Sequence, residues 1–189
     1  MIRDFVFRNR SYRRFDQAHS IEKDTLIELI ELARLSPSAK NLQPLKYMLS
    51  WTPEKNAKIF ESLVWAGYLT DWPGPEEGER PTAYIIILGD KELTESYSID
   101  PGLVTQSMML GAVEKGLGGC IFGTVQRSKL RESLEIPEQY DILYVLAIGK
   151  PVEKVVVEVM KSDDDYKYWR DSDQVHHVPK RKLSDLIID

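Results

Sequence analysis

The stretch "DPGLVTQSMMLGAVEKGLGGCIFG", residues 100–123, decides the fold because it joins an apolar helix to a strand through a run of glycines. Apolar residues occupy nearly every side of the helix predicted over 103–113, which places it in the core or at a subunit interface. The glycines of "GLGG" follow a helix and lead into a strand, the reverse of the order that a dinucleotide-binding loop requires. A Rossmann-type nucleotide loop is therefore excluded.

Three strands are predicted around this helix. The runs "AYIIIL" (83–88) and "ILYVLAI" (142–148) are short, rich in branched residues and bounded by Gly89 and Gly149, so they predict buried central strands. The stretch "LKYMLSW" (45–51) alternates between apolar and polar residues and predicts a strand with one apolar face.

Local signals also predict two helices and one long loop. Residues 20–37 have helical apolar spacing, with Ser20 as a possible N-cap and a stop before Pro37. Thr52 before Pro53 predicts a second helix start. Residues 66–82 hold the densest use of proline and glycine and predict a loop, which is a candidate lid.

Composition bounds the class of protein. A chain of 189 residues with 42% hydrophobic content predicts one domain over 1–189, with a polar and aromatic tail at about 160–189 that docks on a partner or on a ligand site. A net charge of -5 disfavours a nucleic-acid module. The single cysteine, Cys120, excludes an internal disulfide framework, and no apolar stretch reaches the roughly 20 residues of a membrane span. We expect a soluble cytoplasmic protein.

A basic cluster stands out against this negative charge. In "RNRSYRRF" (8–15), four arginines surround one small hydroxyl, that of Ser11. Arginine forks, a hydroxyl and backbone amides at a turn form a suitable phosphate site. A solvated basic face paired with surplus carboxylates explains the same run equally well. The spacing alone does not decide between the two.

Four stretches in order resemble the nitroreductase family of FMN-dependent oxidoreductases. "NRSYRRF" resembles the family's N-terminal arginine motif, and "SPSAKNLQPLKY" resembles its Pro-Ser-Ser-x-Asn-x-Gln-Pro motif. Residues 100–123 resemble its central helix and glycine turn, and "VPKRKLSDLI" resembles its C-terminal arginine element. The resemblance spans roughly residues 5–188. It implies an α+β, nitroreductase-like three-layer sandwich with a mainly antiparallel sheet flanked by helices, in a homodimer with FMN at the interface.

The resemblance also implies a role for individual residues. Arg10 and Ser11 would hold the FMN phosphate and ribityl end, Arg13 would lie nearer the pyrimidine side of the ring, and Arg181 would return from the tail to the phosphate. The remaining positions are those that reach the flavin from the partner subunit, Ser38 and Asn41, and those whose backbone faces the N5 edge, Phe122, Gly123 and Thr124.

Two positions depart from the family pattern. Asn9 stands where many members have the first arginine, and Ala39 replaces the second serine of Pro-Ser-Ser. Arg8 is a candidate substitute for the first, whereas a side-chain hydrogen bond at Ala39 is lost.

The implied activity is reduction of FMN by NADH or NADPH, followed by electron transfer to a small-molecule acceptor such as a nitroaromatic or a quinone. Because the cofactor would carry the reactivity, no dedicated nucleophile, metal or acid-base pair is needed. A second hypothesis is a flavin-binding protein that sequesters, senses or consumes FMN without general reductase activity. Its basis is that the resemblance covers cofactor contacts better than substrate contacts.

The other candidate residues have plainer interpretations. Cys120 is more typical of an inert core thiol than of a reactive one. His176 and His177 are neighbours that point in different directions, and with His19 they form no metal-ligand pattern. The aromatic residues near the candidate lid either stack on a planar substrate or, as we favour, serve as core and interface residues. They are Trp65, Tyr68 and Trp72.

Overall fold

The computed structural model of the protein describes residues 1–188. Its helices and strands follow one another along the chain in the order given next. They are α1 (Ile2–Arg8), β1 (Phe15–Asp16), α2 (Lys23–Leu35), a 3-10 turn (Ala39–Asn41), β2 (Leu45–Ser50), α3 (Pro53–Phe60), β3 (Ala83–Asp90), α4 (Asp100–Glu114), β4 (Gly118–Phe122), α5 (Arg127–Leu134), β5 (Tyr140–Pro151), β6 (Val155–Val159), β7 (Trp169–Arg170), β8 (His176–Lys180) and a second 3-10 turn (Leu183–Leu186).

The main sheet is built on β5. One edge of β5 pairs with β3, which in turn pairs with β2. The other edge pairs first with β4 and, near its end, with β1. Every one of these pairings is antiparallel. In this register Ile148 lies between Ala83 on one side and Gly119 on the other.

Both faces of the sheet are covered, because successive residues of a strand point to opposite faces. Ile85 and Ile87 of β3 belong to the core that includes residues of α2 and α4. Tyr84, Ile86 and Leu88 belong to the opposite core, which includes residues of α3 and α5. All eight residues of β3 are buried, as its continuous apolar run predicts. The predicted α+β architecture, with helices on both sides of an antiparallel sheet, is confirmed.

The apolar helix lies where the sequence places it. α4 covers 100–114, and Met108 and Met109 are 0% and 3% exposed. Gly111 lets α2 approach α4 closely, since a Cβ atom there would lie 2.3 Å from Cδ1 of Leu32. The core position predicted for 103–113 is confirmed, and Cys120 beside it is buried, which raises the pKa of its thiol to about 11.

One boundary prediction is wrong. The second helix begins at Lys23 with Glu22 as its N-cap, so Ser20 does not cap it. The physical reason is that Ile21 is 4% exposed and enters the core in the segment before the helix. Thr52 does occupy the N-cap of α3 with Pro53 in the first turn, although its hydroxyl makes no capping hydrogen bond. The long loop between α3 and β3 is confirmed.

The tail folds as a second, three-stranded sheet. β8 lies between β6, to which it is parallel, and β7, to which it is antiparallel. Beyond it, Leu183, Leu186 and Ile188 are exposed. The docking partner of this end stays a prediction. Within the described 188 residues, no helix combines the length and apolar character needed to cross a bilayer.

Gly119→Ala tests the close approach of β4 to β5. A Cβ atom at position 119 would lie 2.3 Å from the carbonyl oxygen of Ala147, a backbone atom that cannot rotate away. We expect a loss of roughly 1–3 kcal/mol in the free energy of unfolding, measured in denaturant. Gly102→Ala is the matched control, since a Cβ atom at that position of α4 would meet nothing within 4 Å and alanine favours a helix. Equal losses in both variants would contradict the argument.

Candidate functional site

The basic N-terminal segment lies against the start of β4. α1 ends at Arg8, and the chain then runs alongside the strand. Ser11 forms a parallel bridge with Gly119, and the amide of Tyr12 donates to the carbonyl of Gly119 at 2.9 Å. The start of β4 therefore holds the segment that the sequence singled out.

The four arginines of this segment have different environments. Arg14 donates two hydrogen bonds of 2.6 Å to the carboxylate of Glu79, and Arg8 pairs with Asp4 at 3.0 Å. These two fit the interpretation as a basic face paired with carboxylates. Arg10 and Arg13 do not, because neither forms an ion pair within residues 1–188.

Arg10 has an unused donor. Its Nη2 donates to the carbonyl of Val6 at 2.8 Å, while its Nε is buried and has no partner in the part of the chain described. A buried guanidinium donor without an acceptor is costly, and a bound anion would satisfy it. Ser11, the next residue, is exposed. The pair therefore has the donors that a phosphate group requires.

Arg13 is held under the tail. It is 7% exposed, and its Nη1 donates to the carbonyl of Ser11 at 3.2 Å and to Nε2 of His176 at 3.1 Å. Its guanidinium carbon lies 4.5 Å from the ring centre of Tyr168, a cation-π contact. Its Nη2 makes no hydrogen bond to any residue from 1 to 188. One edge of the group is thus fixed by the tail and the other is unused.

A buried ion pair lies beside Arg13 without neutralising it. Glu153 accepts from the backbone amide of Arg13 at 2.9 Å and from Nη2 of Arg170 at 2.5 Å, and the side chains of Glu153 and Arg170 are 0% and 7% exposed. The Arg170 guanidinium also lies 4.5 Å from the ring centre of Trp72. With one carboxylate for two guanidinium groups, the cluster keeps a net positive charge.

His176 completes this cluster as a neutral group. Burial, together with the charges of Arg13 and Arg170, lowers its pKa to about 4. Because arginine has only donors, Nε2 of His176 must accept, and the ring proton lies on Nδ1, which has no partner in residues 1–188. His177 points the other way and contacts Asp171 at 3.1 Å, which raises its pKa. The described residues hold no group of three His, Cys, Asp or Glu side chains placed to bind a metal.

Ser38 is fixed by a buried acid at the start of α4. Its hydroxyl donates to Asp100 at 2.5 Å and accepts from the amide of Gln43 at 2.9 Å. Asp100 is 2% exposed and also accepts from the amide of Ala39 at 2.8 Å. The hydroxyl that the family resemblance directs to a flavin therefore already has a donor in its own loop and an acceptor on α4.

Asn41 lies at the tip of the same loop. Its backbone is in the left-handed region with φ 55°, as are those of Lys40 and Gln43, and three such residues in one short loop store backbone strain. The side chain is exposed, and its Oδ1 accepts from Nε2 of Gln43 at 3.2 Å. The loop is thus held by Asp100 at its base and exposes Asn41.

The turn after β4 has free backbone donors. The amides of Gly123 and Thr124 donate no hydrogen bond to residues 1–188, whereas their carbonyls accept from Arg127 and Val64. Phe122 contributes only its backbone to this turn, because its side chain is buried with its ring centre 4.6 Å from that of Trp65.

Two of the predicted groups meet at one end of β4. Gly123 and Pro101 line the same open groove of about 720 Å³, so the turn and the Asp100-Ser38 loop are neighbours. Ser11 lies beside Gly119, four residues before Gly123, so roughly 13 Å of strand separates Ser11 from the turn. Arg181 is not brought to this site, since it pairs with Asp163 at 2.5 Å and contacts neither Arg10 nor Ser11 by hydrogen bond in residues 1–188.

The aromatic residues near the candidate lid divide between core and tail. Trp65 is 8% exposed and packs against Phe60 and Phe122, as the structural interpretation expects. Tyr68 is 47% exposed, and its ring centre lies 5.0 Å from that of Tyr168. The loop at 66–82 therefore packs on the tail rather than standing alone.

Sequence reasoning missed four residues of these clusters. No role was predicted for Asp100 or Glu153, Tyr168 was included only in the polar and aromatic tail, and His176 was weighed only as a metal ligand. Their partners lie far away in sequence, 62 residues for Ser38 and Asp100 and 163 for Arg13 and His176. The only local signal was the position of Asp100 at the start of the most apolar helix.

An antiparallel sheet between two helix layers, with a basic segment on the strand that follows the central helix, defines a class of α+β domain. The family model described as "Nitroreductase family" matches residues 6–150, which is most of the chain. The protein therefore belongs to the nitroreductase family. A relative in Bacillus subtilis (strain 168), named "Putative NAD(P)H nitroreductase YodC", is 24% identical over 180 residues, covering 79% of this chain and 89% of its own.

Solved structures support the same fold. An FMN-dependent nitroreductase from Clostridium difficile R20291 has a TM-score of 0.67 and 23% identity, covering 87% of this chain and 94% of its own. A nitroreductase family protein from Streptococcus pneumoniae TIGR4 has a TM-score of 0.71 and 19% identity, covering 90% and 100%. At these identities the likeness establishes the fold.

The neighbouring histidines give opposite pH dependences. His176 has a folded-state pKa of about 4, so the stability it contributes is present above its ordinary value of 6.5 and is lost as the pH falls toward 4. We expect the stability difference between the wild type and His176→Gln to shrink from pH 7 to pH 5, measured by denaturant unfolding. His177 has a raised pKa, so the difference for His177→Gln should grow over the same interval. The same pH dependence of the stability difference in both variants would contradict the two environments.

Proposed function

We propose that the protein binds FMN and uses NADH or NADPH to reduce electron-poor acceptors such as nitroaromatics or quinones, in two half-reactions at one site. Membership of the nitroreductase family supports the class of activity. The observation that carries the proposal is the position of Arg10 and Ser11 beside Gly119, with the buried Nε of Arg10 lacking an acceptor. An anionic group at this point would satisfy that donor.

The described residues fit FMN at both ends of β4. Arg10 and Ser11 would hold the phosphate, and the free amides of Gly123 and Thr124, with the backbone of Phe122, would face the reactive edge of the ring. A ligand that spans these two points must be elongated, with an anionic end and a planar end. FMN has this form.

FMN would supply the hydride chemistry, and the chain would supply binding and electrostatics. Arg13 keeps a net positive charge in its cluster, and its unused Nη2 is a donor for the electron-rich side of a reduced ring. Arg181 is proposed for the phosphate. Within one chain it pairs with Asp163, so this contact needs that exposed pair to open or a second chain to supply the arginine.

We propose a homodimer, in which Ser38 and Asn41 approach the flavin of the partner subunit. Exposed apolar side chains support an interface near α1 and the end of α2: Ile2 is 65% exposed, Phe7 62% and Leu35 63%. The buried thiol of Cys120, the only cysteine, is compatible with a reducing cytoplasm. One relative is named a putative NAD(P)H nitroreductase and another an enone reductase. The electron acceptor of this protein must therefore be identified by experiment.

The first test is the visible spectrum of the purified protein, followed by release and chromatographic identification of any chromophore. We expect FMN at about one per chain, and nicotinamide oxidation that requires an added quinone or nitroaromatic. Bound FMN without turnover by either nicotinamide would reject the reductase and favour the alternative, a flavin-binding protein that sequesters, senses or consumes FMN. A protein that takes up no FMN would reject both.

Arg10→Ala tests the phosphate contact. Losing a charge-assisted hydrogen bond of about 1.5–3 kcal/mol corresponds to a roughly 10-fold to 150-fold rise in the Kd for FMN, measured by flavin fluorescence. Arg34→Ala is the matched control, because Arg34 is an exposed arginine paired with Glu31 on α2. An unchanged Kd in Arg10→Ala would place the phosphate elsewhere.

A further inference from the structure

A separate cavity of about 200 Å³ lies between the start of α3 and the chain that enters β3. Its walls include Trp51, Phe60 and Pro81, and Tyr84 of β3 lines it too. It contains none of the residues proposed for the flavin site. Ala83 and Gly119 pair with opposite edges of β5, so two strand spacings, roughly 10 Å, separate the start of β3 from Gly119, the residue beside Ser11.

Arg80 lies in this cavity without an acid. Its guanidinium carbon is 4.4 Å from the ring centre of Phe60, and its Nε is buried without a partner. Within residues 1–188 its side chain forms neither an ion pair nor a hydrogen bond, and no Asp or Glu lines the cavity. Arg14 shows the usual solution, since it forks on Glu79, the residue that precedes Arg80 in the chain. The planar guanidinium of Arg80 therefore has no carboxylate, the acceptor that its fork of donors matches.

Tyr84 adds a second unsatisfied group. Its side chain is 0% exposed, its hydroxyl has no partner among residues 1–188, and burial raises the pKa of that hydroxyl, so it stays a neutral donor. A buried hydroxyl without a partner is uncommon in folded proteins. Arg80 and Tyr84 line the same cavity, so one ligand in it can meet both groups.

Three other polar residues of the wall are already paired, and the fourth, Ser20, is exposed. Asn56 accepts from Ser50 and donates to the carbonyl of Thr82, and the Thr82 hydroxyl donates to the carbonyl of His19. Gln17 accepts from the amide of Arg80. Arg80 and Tyr84 therefore hold the buried donors of this cavity that have no partner in residues 1–188, and the Arg80 guanidinium lies over the ring of Phe60.

We propose that this cavity is a second ligand site, which binds a small monocarboxylate with a flat apolar body. The carboxylate accepts from the guanidinium of Arg80 and the hydroxyl of Tyr84, and the body packs between Trp51 and Phe60. A carboxylate supplies acceptors for both groups at once, and a flat ring fits aromatic walls. This site stands independently of the proposed reductase activity.

Benzoate is the probe, and neutral benzamide of the same shape is its control. Both are titrated into the purified protein by calorimetry, with tryptophan fluorescence as a second readout. We expect a Kd for benzoate of about 0.1–1 mM and at least roughly 10-fold weaker binding of benzamide. Equal affinities, or no benzoate binding in this range, would overturn the proposal.

Two variants locate the binding. Arg80→Gln should weaken benzoate at least roughly 10-fold, whereas Arg34→Gln should not change it. Tyr84→Phe should weaken benzoate several-fold and leave the stability unchanged, because its hydroxyl has no partner to lose. Wild-type benzoate affinity in Tyr84→Phe would overturn the proposal even if Arg80→Gln does not fold.

Titration in the presence of FMN separates this site from the flavin site. No residue is shared between the two, so we expect the same benzoate affinity with and without FMN. Competition by FMN would place the benzoate in the flavin site and overturn the proposal. A protein that binds benzoate at Arg80 but takes up no FMN would support this site and reject the proposed function.

Discussion

The pairing of β5 on both of its edges is the constraint on which the rest of the structure depends. Twelve residues of this strand hold β3 on one side and both β4 and β1 on the other. Because β5 is central, its side chains must supply both cores, which explains its continuous apolar run. The edge of β5 opposite β3 also fixes the position of β4, and therefore the position of the basic segment, in which Ser11 pairs with Gly119 of β4. The packing of the core and the position of the candidate site follow from one strand.

The sequence predicts those parts of the fold that depend on local pattern. The apolar runs of β3 and β5, the core helix α4 and the loop at 66–82 each follow from neighbouring residues. The N-terminal limit of α2 does not, because Ser20 has the chemistry of a cap while the burial of Ile21 moves the start to Lys23. A tertiary contact overrides the local preference for a capping hydroxyl.

The site is less predictable because its polar residues are paired over long distances in the chain. Glu153 is 140 residues from Arg13, whose backbone amide it binds, and no local pattern distinguishes it from a surface acid. The family resemblance names positions, but the environment of each is decided by folding. Ser38 shows this well, since the buried acid Asp100 already binds its hydroxyl. The motif predicted the location of this residue and not its hydrogen bonds.

The arginines show where the chain leaves room for ligands. Arg14 and Arg34 each fork on a glutamate, which is the common outcome in a chain with 30 acidic residues and 25 basic ones. Among residues 1–188, Arg10, Arg13 and Arg80 form no ion pair with an acid, although acids are in excess. Arg13 is buried, and the Nε atoms of Arg10 and Arg80 are buried without a partner in that part of the chain. A buried donor without an acceptor is costly, which is why we propose ligands at these arginines.

The tail determines what Arg13 can offer to a cofactor. The family match ends at residue 150, and the second sheet that carries Tyr168 and His176 follows it. Tyr168 covers one face of the Arg13 guanidinium, and His176 accepts a hydrogen bond from its Nη1. These contacts reduce the part of Arg13 that a ligand can reach. However, the same contacts stop the guanidinium from rotating and leave Nη2 without a partner in residues 1–188. A fixed, positively charged donor with one free edge is better prepared for a planar ligand than a mobile side chain. The tail therefore positions Arg13, and the flavin site we propose would be incomplete without it.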